Sequence, residues 1–345
     1  MIEFAAESKS EMDVLQSLQS LVPCIVIMRI DCHVHISALS PENGMMSQRI
    51  LRSIPFRFIQ WRLETPVEND ESEKKLETKL ANTIIETDAL DAAVVMAFDA
   101  VYDLDGNIDL GNTHLYVKND YAIEVCKRNP KMLFAASVHP YRKDAVAEIE
   151  RCVAAGAVMM KWLPVVQHFD PSDKRCIPFY EALAHYKLPL LSHTGGEKSL
   201  PNLNPDVMDP ALLLPAIKQG VTVIAAHCGT RSHPTEEDFL QVFMRMAREH
   251  EHFYGDTAAL CLPTRSYAIE PLLRDKVVRN KLVHGSDWPI ISIPPILPLG
   301  VRQSIRLMAD RNWMRRDVTI KRLLGFDDAY FLRAGKILRI NKPTS

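Results

Sequence analysis

The pair His33 and His35 is the feature of this chain that points most directly to chemistry. It follows the apolar run 25–30, which predicts a first β-strand, and one residue separates the two histidines. Side chains alternate along a strand, so both imidazoles project to the same face. Two imidazoles on one face are half of a typical site for zinc or another divalent first-row metal.

Further polar side chains accompany later apolar runs. Lys161 lies in the fourth run, His193 ends the fifth, His227 follows the sixth and Asp287 follows the eighth. Buried ionisable groups without a partner are costly, so one shared cation would explain several of them together.

Eight apolar runs must position these side chains, and helical patterns lie between many of them. The runs are 25–30, 92–98, 133–138, 158–163, 189–192, 221–226, 253–256 and 282–285, and the helical patterns are 119–128, 144–155, 177–185, 211–219 and 236–250. Apolar strands that alternate with amphipathic helices favour a parallel sheet covered on both faces. Eight units predict an α/β fold, the (β/α)8 TIM barrel, whose active site lies at the carboxyl ends of the strands. An open doubly wound sheet is the alternative, disfavoured because no glycine-rich phosphate turn follows the first strand.

Taken in order, these residues resemble the amidohydrolase superfamily of metal-dependent barrel hydrolases. The segments 193–196 (His-Thr-Gly-Gly), 226–229 (Ala-His-Cys-Gly) and 285–289 (Gly-Ser-Asp-Trp-Pro) are most similar to its amidohydrolase-2 branch, and the resemblance covers roughly residues 25–340. That branch contains hydrolases and also non-oxidative decarboxylases similar to aminocarboxymuconate semialdehyde decarboxylase.

The resemblance implies a role for each position. His33, His35 and His193 would bind one or two divalent ions, with zinc as the first expectation, and His227 would be a further metal ligand or a substrate contact. Asp287 would also bind metal and would act as general base; with His227 it is the predicted catalytic set. A divalent cation lowers the pKa of bound water toward neutrality, and a carboxylate within reach can take its proton.

Lys161 has two alternative roles under the resemblance. In binuclear members the matching lysine is carboxylated by carbon dioxide, and the resulting carbamate bridges two metals. In mononuclear members it stays a cation near the substrate. Lysine pKa values shift readily on burial, which suits either role.

Histidines and cysteines near these runs receive mostly structural interpretations. His139 ends the third run, where a structural histidine is as well supported as a site role. His284 is expected to orient Asp287 or its loop from behind. Strand alternation turns Cys32 and Cys228 away from the barrel mouth, so both are expected in the core.

Five residues are candidate substrate contacts. Glu197 follows His193 in a glycine-containing loop, and Arg231, four residues after His227, could pair with a substrate carboxylate. The remaining three are Trp162, which neighbours Lys161, and Trp61 and Arg62, which lie in a long insertion after the first strand.

The predicted organisation is one barrel with additions. Residues 1–23 form an amino-terminal arm, whose first twenty residues should be dispensable for folding, and residues 24–345 form the barrel. The insertion 37–79 is long for a βα connection and is predicted to be a lid over the barrel mouth.

Composition narrows the partners and the compartment. The 345 residues include 41 Lys plus Arg and 43 Asp plus Glu, a formal charge of −2. This balance favours a small-molecule substrate over nucleic acid or membrane partners, and a homodimer is open. Seven scattered cysteines and an acidic first segment, unlike a signal peptide, favour a cytoplasmic protein with reduced thiols.

Three functions are compatible with these features. The expected function is hydrolysis of a small amide, lactam or lactone by metal-activated water. The first alternative is a metal-dependent decarboxylase of a small unsaturated or aromatic acid. The second is a barrel that holds metal without catalysis, which a site with an open water position would argue against.

Overall fold

Ten strands are present in the computed structural model of the chain, which describes residues 28–65 and 70–340. Their bounds are β1 Ile30–His35, β2 Gly44–Met46, β3 Ala92–Met96, β4 Leu115–Val117, β5 Met132–Ala136, β6 Met159–Trp162, β7 Leu190–His193, β8 Val223–Ala226, β9 Phe253–Asp256 and β10 Leu282–Val283. Eight of them form one parallel sheet in the order β1-β3-β5-β6-β7-β8-β9-β10, while β2 and β4 pair antiparallel outside it. The predicted arm 1–23 lies outside the described residues.

The sheet closes between β1 and the segment that follows β10. The backbone N–H of His35 donates to the carbonyl of Trp288 over 2.8 Å, and the N–H of Asp287 donates to the carbonyl of His33 over 2.9 Å. With helices between successive strands, this closed arrangement confirms the predicted (β/α)8 barrel.

Helices connect the strands on the outside of the barrel. Those in the described residues are α1 Gln48–Leu51, α2 Ile54–Leu63, α3 Asp70–Ile85, α4 Asn119–Arg128, α5 Ala145–Ala154, α6 Pro164–Gln167, α7 Ile177–His185, α8 Leu214–Lys218, α9 Leu240–Glu249, α10 Ile269–Arg274, α11 Lys276–Arg279, α12 Ile296–Leu299, α13 Val301–Met308, α14 Trp313–Leu323 and α15 Asp328–Ile337. None of these helices combines the length and the apolar character that crossing a bilayer requires.

Strand alternation divides the barrel into an inner and an outer core. In β6, Met159 belongs to the interior cluster, whereas Met160 and Trp162 pack outward with the helices. Lys161 therefore shares the inner face with Met159, one layer nearer the mouth. The same two-residue step places His193 above the interior residue Leu191 in β7.

The first strand ends at the histidine pair, as predicted. Among the described residues, pairing with β3 runs from Ile30 opposite Ala92 to His35 opposite Met96. The two histidines thus lie on one face at the end of β1. The register shifts between Asp31 and Val34, which is a local irregularity beside the histidine pair.

The insertion 37–79 is folded over most of its length. It contains β2, α1, α2 and the first part of α3, so it is not one long loop. Ser53 begins α2 by accepting a hydrogen bond from the N–H of Phe56, and the following Pro55 suits the first turn of a helix.

The contact between α15 and the chain entering β1 generates a stability prediction. A Cβ on Gly335 would lie 2.6 Å from the carbonyl oxygen of Met28. In an exposed helix interior, replacing glycine with alanine stabilises by up to about 1 kcal/mol. Here we expect Gly335→Ala to lower the free energy of unfolding by about 1–3 kcal/mol because of overpacking. Urea denaturation measures the sign, and a stabilised variant would show that Met28 does not contact α15 tightly.

Candidate metal centre

Four side chains meet at the carboxyl ends of β1, β6 and β10. His33 Nε2 lies 3.1 Å from His35 Nε2, 3.2 Å from Asp287 Oδ1 and 3.2 Å from Lys161 Nζ. His35 Nε2 is also 3.1 Å from Asp287 Oδ1. The structure therefore brings together four of the predicted site residues from three separate parts of the chain.

Asp256 at the end of β9 sets the orientation of His33. Its Oδ2 lies 2.6 Å from His33 Nδ1, and both side chains are fully buried. Burial opposes ionisation of Asp256, yet the neighbouring His33 and His227 hold its pKa well below the usual range. Nδ1 of His33 thus donates to a carboxylate, which leaves the Nε2 lone pair for the centre of the site. Sequence reasoning missed Asp256, although it is the last residue of the seventh apolar run.

His227 joins this group from the turn after β8. Its Nδ1 donates to the carbonyl of Ala258 over 2.9 Å, so its Nε2 is free to accept or coordinate. His33, His227 and Asp287 each offer one ligand atom, and these atoms lie within 4.8 Å of one another. Such a spacing suits a shared divalent cation.

Backbone strain accompanies two of these residues. His227 and Asp287 have φ angles of 59° and 66°, in the left-handed region that residues other than glycine rarely adopt. The N–H of His227 donates to Asp256 over 2.8 Å, and this bond helps to hold the strained turn. Conformations of this kind persist only where the surrounding structure enforces them, and they cluster at functional sites.

The position of His193 indicates that a divalent cation fits between these side chains. Its ring lies 4.8 Å from that of His227, centroid to centroid, and its buried Nε2 has no hydrogen-bond partner among the described residues. An unpaired buried nitrogen costs free energy, whereas a divalent cation would satisfy it. The donor set of imidazoles and a carboxylate matches what zinc and similar metals bind, so the residues fit the expected group.

Electrostatics keeps the ligands in their binding forms. Burial lowers the pKa of His35 to about 4 and that of His227 to about 3, so both imidazoles are neutral near pH 7. Burial alone would raise the pKa of Asp287, but His33, His35 and His227 hold it well below its usual range. Neutral imidazoles and an ionised carboxylate are the forms that bind metal.

Lys161 is buried beside these ligands. Burial lowers the pKa of its ammonium to about 8, despite attraction from Asp256 and Asp287. A measurable fraction of neutral amine is therefore present near pH 7. This state is compatible with both predicted roles, a carbamate precursor and a cation facing substrate.

A cavity of about 140 Å³ opens in front of these side chains. A dry cavity of about 150 Å³ accommodates a benzene molecule, so the space suits a small ring. Besides the site residues, its lining is mostly apolar and includes Ile36, Met46, Ile50, Pro55, Phe56, Ile59, Leu115, Leu163, Leu200, Pro289 and Ile290. Five of these belong to the insertion 37–79, so the insertion, including α2, forms part of the cavity wall.

Glu197 is the one candidate substrate contact that lines the cavity. Its carboxylate accepts the N–H of Leu200 over 2.9 Å and also that of Ser199, and burial raises its pKa. It therefore caps its own loop while facing the cavity.

The other four candidates lie elsewhere, and the structure corrects their placement. Trp162 points outward from β6 into the core, where its Nε1 donates to a backbone carbonyl. Arg231 lies over the ring of Tyr267, outside the cavity lining. Trp61 and Arg62 line a separate surface pocket.

Two further histidines have supporting positions. His139 donates from Nε2 to the carbonyl of Gln167 and does not line the cavity, so its structural interpretation holds. His284 lies 3.2 Å from the Tyr330 hydroxyl, with no hydrogen bond to Asp287 in the described residues. Its backbone carbonyl accepts the N–H of Cys32 in β1 over 2.9 Å, next to the closure of the barrel.

Arg265 is a buried cation that sequence reasoning overlooked. Its guanidinium donates to the carbonyls of Thr230 and Gly196, each over 2.7 Å. It thereby fixes the loops that follow β7 and β8. At Gly195, with φ 76°, a Cβ would lie 2.3 Å from the Thr230 carbonyl, so these two loops pack backbone against backbone.

The chain has a family and known structural neighbours. The Amidohydro_2 family model, described as Amidohydrolase, matches residues 30–303. A search of curated proteins finds no match. Similar solved structures include an uncharacterized TIM-barrel protein from Bordetella bronchiseptica, 16% identical with TM-score 0.55, covering 86% of this chain and 98% of that one.

Two enzymes share the fold at lower similarity. A probable 2-pyrone-4,6-dicarboxylic acid hydrolase from Acinetobacter baumannii is 14% identical with TM-score 0.50, covering 90% of this chain and 96% of that one. The 5-carboxyvanillate decarboxylase LigW from Sphingomonas paucimobilis is 12% identical with TM-score 0.50, covering 91% and 100%. Both likenesses show the barrel and leave the reaction open.

The unpartnered nitrogen of His193 generates a prediction about metal binding. We expect His193→Ala to weaken metal binding by more than the 10–100-fold that loss of an outer contact costs. Metal analysis after dialysis measures this, and His233→Ala, at an exposed histidine, is the matched control. Unchanged metal content in His193→Ala would remove this residue from the ligand set.

The outward position of Trp162 generates a second prediction. Trp162→Phe removes the donor to the Val138 carbonyl, a 2.7 Å bond in the core. We expect the free energy of unfolding to fall by about 1–3 kcal/mol. Metal content and turnover per folded molecule should not change. A selective loss of turnover in a variant of full stability would restore the substrate-binding interpretation.

Proposed function

Because the chain belongs to the Amidohydrolase family, we propose that it is a metal-dependent hydrolase of a small, neutral amide, lactam or lactone. The single observation that carries this proposal is the cavity, in which imidazoles, the ionised Asp287 carboxylate, Lys161 and Glu197 face an otherwise mostly apolar, ring-sized space. Such a space suits an uncharged carbonyl compound whose polar end meets the metal ligands.

The metal would be held by His33, His35, His193 and Asp287, with His227 as a further ligand or a substrate contact. A divalent ion, with zinc as our first expectation, would supply polarisation of the scissile carbonyl and acidification of a coordinated water when bound. Asp256 keeps the Nε2 of His33 available, and this is a requirement of any such ligand.

Asp287 is the proposed general base. Its carboxylate lies within 3.2 Å of two imidazole nitrogens, and it stays ionised at neutral pH because those histidines surround it. An ionised carboxylate at this position can accept the proton of the attacking water and then deliver it to the leaving group. The strained backbone at Asp287 fixes where that proton is held.

The cavity lining favours a neutral substrate over a carboxylate. Within the described ranges, Lys161 is the one cation among the lining residues, and no arginine reaches them. The buried guanidinium of Arg265 donates instead to the carbonyls of Thr230 and Gly196 and to the Thr230 hydroxyl. The described lining therefore has no arginine that could bind a substrate carboxylate through two parallel hydrogen bonds.

Lys161 supports the decarboxylase as a second candidate. An ammonium buried beside the ligands could pair with the carboxylate of a small aromatic or unsaturated acid. The same lysine as a carbamate would instead add a bridging anion and favour hydrolysis. Intact mass under non-denaturing conditions separates these states, since carboxylation adds one carbon dioxide to the chain.

Replacement of Asp287 tests the proposed function. Metal-loaded protein is assayed with aryl esters and lactones for hydrolysis, and with hydroxybenzoic and unsaturated acids for carbon dioxide release. We expect hydrolysis in the parent and a loss of about 100-fold or more in Asp287→Asn, which retains shape but cannot accept the proton.

Asp105→Asn, at an exposed loop carboxylate, is the control and should be fully active. Carbon dioxide release without hydrolysis would assign the decarboxylase function. Full hydrolytic activity in a folded Asp287→Asn variant would contradict the assignment of the base.

A further inference from the structure

Helix α2 exposes a row of large apolar side chains on its outer face. Ile54 is 85% exposed and Trp61 is 69% exposed, with Phe58 between them. These residues follow the i, i+4, i+7 spacing of one helix face. Phe56 and Ile59, on the other side of the same helix, line the catalytic cavity.

Helix α13 repeats this pattern. Val301, Ile305 and Met308 have the same spacing, and Ile305 is 67% exposed. Leu307, on the opposite side of α13, packs with Ile320 of α14. Leu297 in the preceding α12 is 99% exposed. Large apolar side chains grouped in this way are informative, whereas single ones are common on any surface.

The two helices border the same surface. Arg316 of α14 donates to the carbonyl of Met308 at the end of α13. Burial, with a smaller contribution from the charge of Arg62 in α2, lowers the pKa of Arg316. Residues 60–65 at the end of α2 also line one surface pocket with Arg311 and Trp313. We call the exposed apolar residues of this surface the α2–α13 face: Ile54, Phe58, Trp61, Leu297, Val301, Ile305 and Met308.

Several arginines accompany the exposed apolar residues of this face in sequence. Residues 48–63 contain four arginines and no acid, and residues 296–309 contain two arginines and no acid. They are Arg49, Arg52, Arg57, Arg62, Arg302 and Arg306. None of these six arginines forms an ion pair within the described ranges, whereas ten other arginines do. The overall charge of −2 therefore conceals a local excess of positive charge in these two segments, each of which is followed directly by one acid, Glu64 or Asp310.

We propose that the α2–α13 face docks on an anionic lipid surface. Amphipathic helices that carry aromatic and aliphatic residues beside arginines lie in the plane of such an interface, with the apolar face in the headgroup region. Each nearby arginine adds attraction to anionic headgroups. A nucleic acid would neutralise the arginines but would offer no apolar medium for side chains such as Leu297. The expectation of no membrane partner rested on the overall charge, which averages out this local excess.

Docking would place the apolar lining of the active site next to lipid. Because α2 carries the docking residues on one side and cavity residues on the other, an apolar substrate could pass from the interface to the site beside this helix. This link to catalysis rests on the proposed function. The docking itself does not, and it is measured without any substrate.

Vesicle co-sedimentation of the full chain tests docking. Vesicles of phosphatidylcholine alone are compared with vesicles in which about 30% of the lipid is phosphatidylglycerol. Each is measured at about 0.05 M NaCl and at about 1 M NaCl, where the Debye length falls to about 3 Å. We expect binding only to the anionic vesicles and only at low salt. Absence of binding to anionic vesicles at low salt would overturn the proposal.

Two variants with matched controls separate the components of binding. Arg302→Gln combined with Arg306→Gln should weaken binding by roughly 20-fold, from about fivefold for each arginine. Phe58→Ser combined with Ile305→Ser should weaken it by tenfold or more, since two apolar side chains no longer insert. Arg245→Gln, at an exposed unpaired arginine of α9, and Leu104→Ser, at a residue 71% exposed, should bind like the parent.

Equal losses in the control variants would overturn the proposal, because they would show non-specific adsorption. Unchanged binding in both double variants would also overturn it, since another surface would then be responsible. Concentration-dependent dimers that the Phe58 and Ile305 substitutions abolish, in protein that ignores vesicles, would assign the face to a second copy of the chain instead. Melting temperatures and metal content of every variant confirm that the fold is intact.

Discussion

The hydrogen bond between His33 and Asp256 is the interaction on which the site depends. It joins the first strand of the barrel to the seventh strand of the sheet order and determines which nitrogen of His33 faces the centre. The same carboxylate accepts the N–H of His227 and thereby holds a strained turn. One buried carboxylate thus positions two imidazoles, and the closed barrel brings Asp287 to them through a backbone bond to His33. Loss of closure would separate all of these groups.

The site residues that lie on strands could be predicted from the sequence. A position next to a site residue in sequence was a poor guide, because side chains alternate between the two faces of a strand. The barrel and the convergence of His33, Lys161 and Asp287 follow from polar residues at the ends of apolar runs. Trp162 is a predicted substrate contact next to Lys161 in sequence, yet neighbours in a strand face opposite sides. Asp256 gave a usable signal as the last residue of a run, but its partner lies 223 residues away and no local pattern indicates it.

Loop residues could not be placed in this way, because periodicity does not determine the path of a loop. Glu197 reaches the cavity because it caps its own turn, whereas Arg231 turns to Tyr267. The insertion forms part of the cavity wall, but with its apolar residues Phe56 and Ile59 and not with the predicted Trp61 and Arg62. Helical spacing separates the two sets, since 56 and 59 share one face and 54, 58 and 61 share another.

Helix α2 has two apolar faces, and the cavity buries only one of them. One face of α2 is buried against the active site, and the other leaves Ile54 and Trp61 in water, where their exposure costs free energy. Unpaired arginines beside them keep such a surface soluble and repel a second identical face by like charge. The proposed docking would explain the two apolar faces of α2 together. In the docked state the helix would separate the proposed site for small carbonyl compounds from a lipid surface in which such compounds accumulate.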